Sequence, residues 1–159
     1  MEEKQRHALD RVDRRILDLL QREGALSVAE VASRTGLSTT TCWRRIQHME
    51  QSGVIRGRVA LLDRSALGLD VTIFAHVKLS TQGRDAIAAF AEAIRERPEV
   101  LDCYTTMGEW DFMLRIVTKD IKAYEAFYLD HLSKLPNVQS INSSVTVTVI
   151  KETTVLPID

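Results

Sequence analysis

The chain has 159 residues, of which 45% are hydrophobic and 27% are charged, so it is long enough for one globular domain or two small ones. No apolar run approaches the roughly 20 residues that a membrane-spanning helix needs, which argues against a membrane protein. The charged stretch at residues 1–7 precedes an amphipathic helical pattern, so we expect no signal peptide. Cys42 and Cys103 lie far apart without metal-ligand spacing, and they favour a reducing cytoplasm over a disulfide framework.

The formal net charge of −1 conceals a division of charge along the chain. Residues 1–64 hold 12 basic and 9 acidic residues, whereas residues 65–159 hold 9 and 13. Between Arg34 and Arg58 there are five arginines and a single acid, Glu50. The front third therefore has a modest positive footprint, which is typical of a surface that binds nucleic acid.

Three short helices are predicted at the start of the chain. Apolar residues at helical spacing over residues 9–20 predict the first helix. A capping box at residues 27–30 begins the second, and Gly36 ends it. Ser38 caps a third helix that should run to about Ser52. This succession, with its short glycine turn, has the spacing of a helix-turn-helix, although three-helix bundles also serve as plain packing modules.

The third predicted helix carries the candidate DNA contacts. At about 100° per residue, Cys42, Ile46 and Met49 share one side and must face the other two helices. Arg44 then lies nearly opposite, among hydroxyl and amide side chains, where its guanidinium can bind the edge of a guanine. Arg45 lies closer to the apolar boundary, where its stem can pack and its head can reach a phosphate. The alternative is that this face is simply solvated.

Residues 54–62 alternate between polar and apolar, so we expect a short strand beside the helices, as in a winged helix-turn-helix. Arg56 and Arg58 lie on this strand, where they could contact the DNA backbone without specifying sequence. The complete candidate DNA-binding set is Ser38, Thr39, Thr40, Thr41, Arg44, Arg45, His48, Arg56 and Arg58.

The hydrophobic period changes after a linker at residues 62–69, which we expect to separate a DNA-binding domain (1–61) from a second domain (70–159). The predicted elements of the second domain are a strand at 71–80, a helix at 84–97, strands at 100–107 and 112–118, a helix at 121–135 and a long strand at 138–153. This β-α-β-β-α-β order is the ferredoxin-like arrangement, so the fold class is α+β. The helices would cover one face of the sheet, and the bare face implies a partner, most simply a second copy.

The sequence offers little for catalysis. It contains no glycine-rich phosphate loop, no serine nucleophile elbow and no cluster at metal-ligand spacing. The four histidines are scattered through different predicted elements, and one on a strand face, such as His76, is more often structural than a base. We therefore expect neither enzyme activity nor a cofactor nor a metal. A metabolic enzyme of ferredoxin-like fold with a vestigial helical head is the alternative from another class.

Several motifs resemble those of the Lrp/AsnC family, the leucine-responsive or feast/famine regulators of bacteria and archaea. Residues 9–17 (LDRVDRRIL) are similar to the opening helix of that family, and residues 37–46 (LSTTTCWRRI) are similar to its recognition helix. Residues 107–112 (MGEWDF) resemble its effector-loop signature. Residues 99–104 and 151–159 are similar to a subgroup that regulates cysteine detoxification, branched-chain keto acid breakdown or proline utilisation.

The resemblance implies a transcription regulator that binds double-stranded DNA through its N-terminal domain. The C-terminal domain would form a homodimer, assemble into octamers and bind an amino-acid effector between dimers. The implied effector-binding residues are Thr105, Met107, Gly108, Glu109, Trp110 and Asp111 on the loop, with Ser143, Ser144 and Thr146 on the facing strand. Asp111 can pair with the ammonium group of the ligand, and Gly108 allows close backbone approach or a positive φ. From the residues alone, Gly108 to Asp111 could equally form an ordinary hairpin turn.

The predicted function is that of a cytoplasmic, sequence-specific transcription regulator whose assembly or DNA binding responds to a small amino acid. The alternative is an architectural protein that wraps or bridges DNA with little or no effector control. Two departures from the family bear on this prediction. The family usually has proline at the position of Thr41, and the subgroup often has tyrosine at that of Glu152, which leaves the identity of the effector open.

Overall fold

The computed structural model describes residues 9–81 and 83–158, so the expectation about residues 1–7 lies outside the described part of the chain. The contacts divide the protein into two compact units. Unit 1 comprises the described residues up to Leu62 together with the C-terminal tail from Lys151, and unit 2 comprises Asp63–Ile150. Within the described ranges, no helix is long and apolar enough to cross a membrane.

Unit 1 is built from three helices. They are α1 (Arg11–Arg22), α2 (Val28–Thr35) and α3 (Thr39–Gln51). Asp10 caps α1 and Ser27 caps α2, and each forms a capping box with the acidic residue three positions later. Ser38 caps α3 by accepting the backbone N–H of Thr41. These caps confirm the three predicted helices.

The core of unit 1 lies between these helices. Its buried hydrophobic residues are Ile16, Leu20, Leu26, Val31, Ala32, Cys42, Ile46 and Met49. The three members from α3 are at most 2% exposed, which confirms the predicted phase of this helix. Burial of each large side chain contributes about 1.5–3 kcal/mol to stability, so α3 is held firmly by its inner face.

Unit 2 is a four-stranded antiparallel sheet with two helices. Its elements are β1 (Val71–Leu79), α4 (Arg84–Arg95), β2 (Val100–Thr105), β3 (Phe112–Thr118), α5 (Ile121–Asp130) and β4 (Val138–Val145). Short 3₁₀ turns lie at Ser65–Leu67 and Leu132–Lys134. The strand order β2-β3-β1-β4 confirms the predicted ferredoxin-like arrangement.

The alternation of β1 sorts its side chains between the two faces of the sheet. Ile73, Ala75 and Val77 are fully buried in a core that includes residues of α4 and α5. In this core Phe90 stacks on Phe112 with their ring centroids 4.3 Å apart. The intervening side chains of β1, at positions 74, 76 and 78, lie on the opposite face and are half-buried. The prediction that the helices cover one face of the sheet is therefore confirmed.

Two predicted strands are corrected by the structure, and the first is the segment at residues 54–62. This segment follows α3 as irregular chain, and Val59 is 83% exposed. A strand needs a hydrogen-bonded neighbour, and β1 to β4, the strands of the described residues, all pair within unit 2. The alternating pattern was present, but the described part of the chain supplies no neighbouring strand for it.

The second correction concerns β4, which ends at Val145 rather than at the predicted residue 153. Thr146 donates both its backbone N–H and its hydroxyl to the carbonyl of Thr72, at 2.9 and 3.0 Å. Thr72 is the second residue of β1, so the neighbouring strand offers no continuing ladder beyond this point. Val147, the next residue, is fully exposed.

The C-terminal tail groups with unit 1. Leu156 donates its backbone N–H to Gln21 Oε1 at 2.8 Å, and Gln21 Nε2 donates to the carbonyl of Leu156 at 3.0 Å. Gln21 lies on α1, where its amide also donates to Asp18 at 3.0 Å. The side-chain amide of Gln21 thus pairs with the tail in the way that a neighbouring strand would. No sequence pattern indicated this contact.

Candidate DNA-binding face and effector turn

The turn between α2 and α3 sets the direction of the recognition helix. Gly36 ends α2 with a φ of 73°, in the left-handed region that favours glycine. The backbone N–H of Leu37 then donates to the carbonyl of Ala32 at 3.0 Å, which closes the end of α2. The chain therefore reverses within a few residues, as a helix-turn-helix requires.

The outer face of α3 presents most of the predicted DNA contacts. Ser38, Thr39, Thr40, Arg44 and His48 are exposed, whereas Thr41 and Arg45 are half-buried. Ser38 Oγ accepts the N–H of Thr41 at 3.2 Å and donates to its hydroxyl at 2.9 Å, so these two side chains are engaged in capping. Thr39 and Thr40 are therefore the hydroxyls best placed for contact with DNA.

Arg45 is engaged in a different way from Arg44. Its Nη1 donates to Asp10 Oδ2 and to Asp13 Oδ1, each at 2.7 Å. The hydrogen bond to Asp13 and then that to Asp10 raise the pKa of Arg45 above its ordinary value. The pKa of Asp10 is lowered, chiefly because its side chain accepts the backbone N–H of Asp13 and then because of Arg45. This geometry favours a tie between α3 and the start of α1 over the predicted phosphate contact.

A small cavity of about 260 Å³ lies beside this tie. It is lined by Asp13, Arg44, Arg45 and His48. The Asp13 side chain is only 5% exposed, so a buried carboxylate stands behind the exposed groups of α3. Sequence reasoning missed Asp13, although an acid three residues before the buried Ile16, on the apolar face of α1, was a signal.

The two arginines that follow α3 are both exposed, on an irregular segment rather than on the predicted strand. Arg58 Nη2 lies 3.3 Å from Glu50 Oε1, which ties this segment back to the end of α3. Arg56 is two residues closer to α3. The structure therefore places both arginines in unit 1, next to the helix whose contacts they were predicted to supplement.

In unit 2, the turn between β2 and β3 contains most of the predicted effector-binding residues. The N–H of Thr106 donates to the carbonyl of Asp111 at 2.9 Å, and its hydroxyl donates to the carbonyl of Trp110 at 2.6 Å. Gly108 has a φ of 135°, which favours glycine. Met107 and Glu109 are exposed on either side of it. We call residues 106–111 the effector turn.

Asp111 anchors the effector turn to β1. Its Oδ2 accepts the backbone N–H of Leu79 at 2.8 Å, and its own N–H donates to the carbonyl of Val77 at 3.0 Å. Lys78 Nζ lies 3.7 Å from the other carboxylate oxygen, and the side chain is 15% exposed. The carboxylate therefore faces β1, and this geometry favours a structural role over the predicted contact with a ligand ammonium. Glu109 is the exposed carboxylate of the turn.

Trp110 lies on the open face of the sheet. Its ring centroid is 6.1 Å from that of His76, one of the half-buried side chains of β1. The ring is itself half-buried, so one aromatic surface flanks the exposed part of the effector turn. Such a wall can contact the apolar side chain of a small ligand.

The predicted residues of β4 lie apart from the effector turn. Ser143 Oγ is 2.5 Å from the hydroxyl of Tyr124 on α5, and Ser144, the next residue, points to the opposite face of the sheet. Thr146 contacts Thr72, whereas the turn contacts Val77 and Leu79. Thr72 lies about 16 Å along β1 from Val77, whereas Ala75 and Phe74, the β1 partners of Ser143 and Ser144, lie about 7 and 10 Å from it. Thr146 is therefore the predicted residue farthest from the effector turn.

A second cavity in unit 2, of about 380 Å³, lies between α4 and β2. It is lined by Ala91, Ile94, Arg95, Val100, Leu101, Cys103, Thr105 and Phe112. Burial raises the pKa of the Cys103 thiol, partly offset by the charge of Arg95. Thr105 is the predicted effector residue that lines this cavity. Among the described residues, no group of three or more His, Cys, Asp or Glu side chains could hold a metal ion.

Comparison with known proteins identifies both parts of the chain. Residues 9–56 match the winged helix-turn-helix DNA-binding domain, and residues 72–156 match the Lrp/AsnC ligand binding domain. The DNA-binding transcriptional activator DecR of Escherichia coli K12 is 36% identical over 151 residues, which cover 95% of this chain and 99% of DecR. The Bkd operon transcriptional regulator of Pseudomonas aeruginosa is 39% identical over 136 residues, covering 86% of this chain and 89% of that regulator.

A solved structure agrees with these matches. The crystal structure of a transcriptional regulator from Neisseria meningitidis in complex with L-Met superposes with a TM-score of 0.89 at 37% identity. The match covers 94% of this chain and 96% of that one. These relatives are transcription regulators, which confirms the prediction that the chain is not an enzyme. The chain thus belongs to the Lrp/AsnC family of DNA-binding transcription regulators, with a ligand-binding domain behind its DNA-binding head.

Proposed function

We propose that this regulator reads DNA with the outer face of α3 and responds to a small amino acid held at the effector turn. The observation that carries the proposal is the mounting of α3, whose inner face is fully buried while Arg44 stands exposed on the outer face. Thr39, Thr40 and His48 supply further polar groups around it. Arg56 and Arg58 would position the protein on the phosphate backbone.

The proposed division of labour follows the predicted domains. Residues 1–61 bind DNA, residues 62–69 connect, and residues 70–159 bind the effector and assemble the protein. The proposed location of the regulator is the cytoplasm. A homodimer that assembles into an octamer is the proposed form, because the open sheet face and the distance of Thr146 from the effector turn both favour a second copy.

The effector site is proposed to lie where two copies meet. The effector turn of one copy offers the Glu109 carboxylate and the exposed backbone around Gly108. Another copy would offer Ser144 of β4 and Thr146, which follows this strand. An amino acid suits this combination, because a carboxylate pairs with its ammonium group and backbone or hydroxyl donors pair with its carboxylate. The L-Met complex of the neisserial regulator makes methionine the first probe.

Ligand and DNA would be linked through a shift in population. A ligand that binds at a seam between copies stabilises the arrangement in which the seam is best formed. That arrangement fixes the spacing of the DNA-binding heads, and the spacing selects among paired half-sites on DNA. The ligand therefore needs no direct contact with α3 to alter DNA binding.

The DNA-reading half of the proposal is tested by Arg44→Ala. A direct base contact of this kind contributes about 1–3 kcal/mol, so specific binding should weaken about 5- to 150-fold and base preference should relax. Fluorescence anisotropy with a specific and a scrambled duplex, at several salt concentrations, measures both effects. Arg95→Ala removes the same charge from α4 and should change neither. Undiminished specific binding by Arg44→Ala would remove α3 from the proposed role.

The effector half is tested by calorimetric titration of the twenty amino acids, beginning with L-methionine. We expect saturable binding of at least one of them to the wild-type protein and its loss in Glu109→Gln, which keeps the size of the side chain but removes its charge. Equal binding by both proteins would remove Glu109 from the site. Absence of binding by all twenty would favour the architectural alternative, in which DNA wrapping proceeds without an effector.

A further inference from the structure

We propose that Arg45 is a positioning residue for DNA reading, which fixes the orientation of α3 against α1, and that it does not contact DNA. The inference rests on the proposed role of the outer face of α3. It reverses the interpretation suggested by sequence, in which two adjacent arginines both pointed to DNA. In the structure, Arg45 is bound to two carboxylates of α1 and its cap, whereas Arg44 is exposed.

The partners of Arg45 are also hydrogen-bonded to each other. Asp10 uses Oδ1 to accept the N–H of Asp13 at 2.8 Å and Oδ2 to accept Arg45 at 2.7 Å. Asp13 uses Oδ2 to accept the N–H of Asp10 at 3.2 Å and Oδ1 to accept Arg45 at 2.7 Å. Each carboxylate therefore divides its oxygens between the capping box of α1 and the guanidinium on α3. We call these three residues the capping triad.

The charge of the capping triad argues against a phosphate contact. Two carboxylates and one guanidinium leave the three side chains with a formal charge of −1. Asp13 is almost fully buried, so water screens its charge poorly. A DNA phosphate that approached Arg45 would meet this net negative charge. Arg44 has no place in the triad and is exposed, so it is the residue of this pair that can meet DNA.

The capping triad fixes the rotation of α3 about its own axis, which its apolar contacts alone do not. Hydrophobic burial holds a helix in place, but it is non-directional. Arg45 Nη1 donates to a carboxylate on each of two residues at the start of α1, and these two charge-assisted, directional bonds resist rotation of α3 about its own axis. Arg44 is the adjacent residue, and it lines the same cavity as Asp13 and Arg45. A rotation that broke the triad would therefore also change where Arg44 points.

The test compares Arg45→Met with Asp13→Asn in DNA binding by the full-length protein. If Arg45 positions α3, both variants should lose preference for the specific over the scrambled duplex, on the order of tenfold, and their double variant should lose no more than either. The slope of log affinity against log salt concentration should stay at the wild-type value in all three.

The opposite result has a distinct signature. If Arg45 binds a phosphate, Arg45→Met should make the salt slope shallower by about one and weaken both duplexes alike. Asp13→Asn would then strengthen binding, because it removes a competing negative charge. Either observation would overturn the inference.

Two further variants keep the test decisive. Asp10→Ser preserves an oxygen at the cap of α1 but removes one acceptor of Arg45, so it should lose preference even if Asp13→Asn fails to fold. Arg45→Lys keeps the charge, but its side chain ends one bond short of the position of Nη1, so it should keep the wild-type salt slope without restoring preference. Arg44→Ala, measured in parallel, separates the two proposals. No effect of Arg44→Ala would refute the reading face itself, whereas a shallower slope in Arg45→Met alone would refute only the triad.

Discussion

The outer face of α3 and the effector turn differ in how much of a site one chain completes. On α3, the exposed polar side chains share a single helix whose inner face is buried. The effector turn is equally well anchored, through Asp111, but Thr146, one of the residues proposed to complete its site, lies about 16 Å further along the sheet. The proposed DNA-reading face is thus complete on one chain, whereas the proposed ligand site would need a second copy.

The difference has a simple physical origin. Residues three and four apart on a helix lie side by side, so a short sequence segment can supply a whole contact surface. A hairpin turn projects from one end of a sheet, and Thr146 lies beside the opposite end of β1. In the proposed site, a ligand that contacts both would be held between copies. Such a ligand would also bias the assembly.

The largest expected effect comes from mixing two defective variants. Glu109→Ala damages the effector turn, and Ser144→Arg obstructs the open face of β4, so neither variant alone should bind L-methionine. In mixed oligomers, about one quarter of the sites should combine an intact turn with an intact strand, and binding should return to that extent. Calorimetric stoichiometry measures the return. If the mixture does not bind L-methionine although both variants assemble normally, the site is not shared in this way.

Asp111→Ala should have the next largest effect. Leu79 is almost fully buried, and loss of the carboxylate leaves its backbone N–H without that acceptor, which costs about 1–3 kcal/mol. Chemical denaturation monitored on unit 2 should show this loss. Glu109→Ala removes a carboxylate of the same turn that is exposed, and it should stay within about 0.5 kcal/mol of the wild type. Equal stability of the two variants would mean that Asp111 does not anchor the turn.

Gly108→Ala tests the backbone of the turn at a smaller scale. A Cβ would meet nothing within 4 Å at Gly108 or at Gly83, so packing does not distinguish them. Gly108 has a φ of 135°, whereas Gly83 has a φ of −80°, which any residue adopts. Gly108→Ala should therefore destabilise the protein by about 1 kcal/mol or more, whereas Gly83→Ala should cost less, about 0.5 kcal/mol, because alanine caps a helix less well than glycine. Thermal unfolding of the two variants side by side checks the expectation.

The sequence was sufficient for the elements whose signals are local. The first helix of unit 1 was predicted from the spacing of its apolar residues, and the other two were predicted because Ser27 and Ser38 mark their starts and Gly36 ends the second. The βαββαβ order followed from a change of period, and the strand order of the sheet agreed with it. These signals are carried by residues that lie within a few positions of each other.

Strand ends were less predictable, because a strand depends on its neighbour. Residues 54–62 and 147–153 both alternate, yet neither has a partner strand in the described chain. The same reason explains the candidate sites. The roles of Arg45 and Asp111 are set by carboxylates and backbone groups that are distant in sequence. The sequence pattern placed Arg45 on the third helix and Asp111 in the effector turn, but only the fold shows which groups these side chains bind.

The smallest expected effect concerns the C-terminal tail, which follows unit 2 and groups with unit 1. The chain leaves unit 1 at Leu62 and returns to it at Lys151, after β4. Its paired hydrogen bonds with Gln21 are exposed, so Gln21→Ala should lower the stability of unit 1 by about 0.5–1 kcal/mol.

Truncation after Ile150 supplies the control for this prediction. Gln21 also bonds to Asp18, and that bond survives the truncation. If the tail carries the effect, Gln21→Ala should be nearly neutral in the truncated chain, and the difference between the two backgrounds measures the tail contact alone. An unchanged effect would assign the loss to Asp18 and α1. A loss confined to the full-length chain would mean that the tail is bound to α1 of unit 1. Because the tail follows β4, it would link the strand of the proposed ligand site covalently to the unit that carries the proposed DNA-reading face.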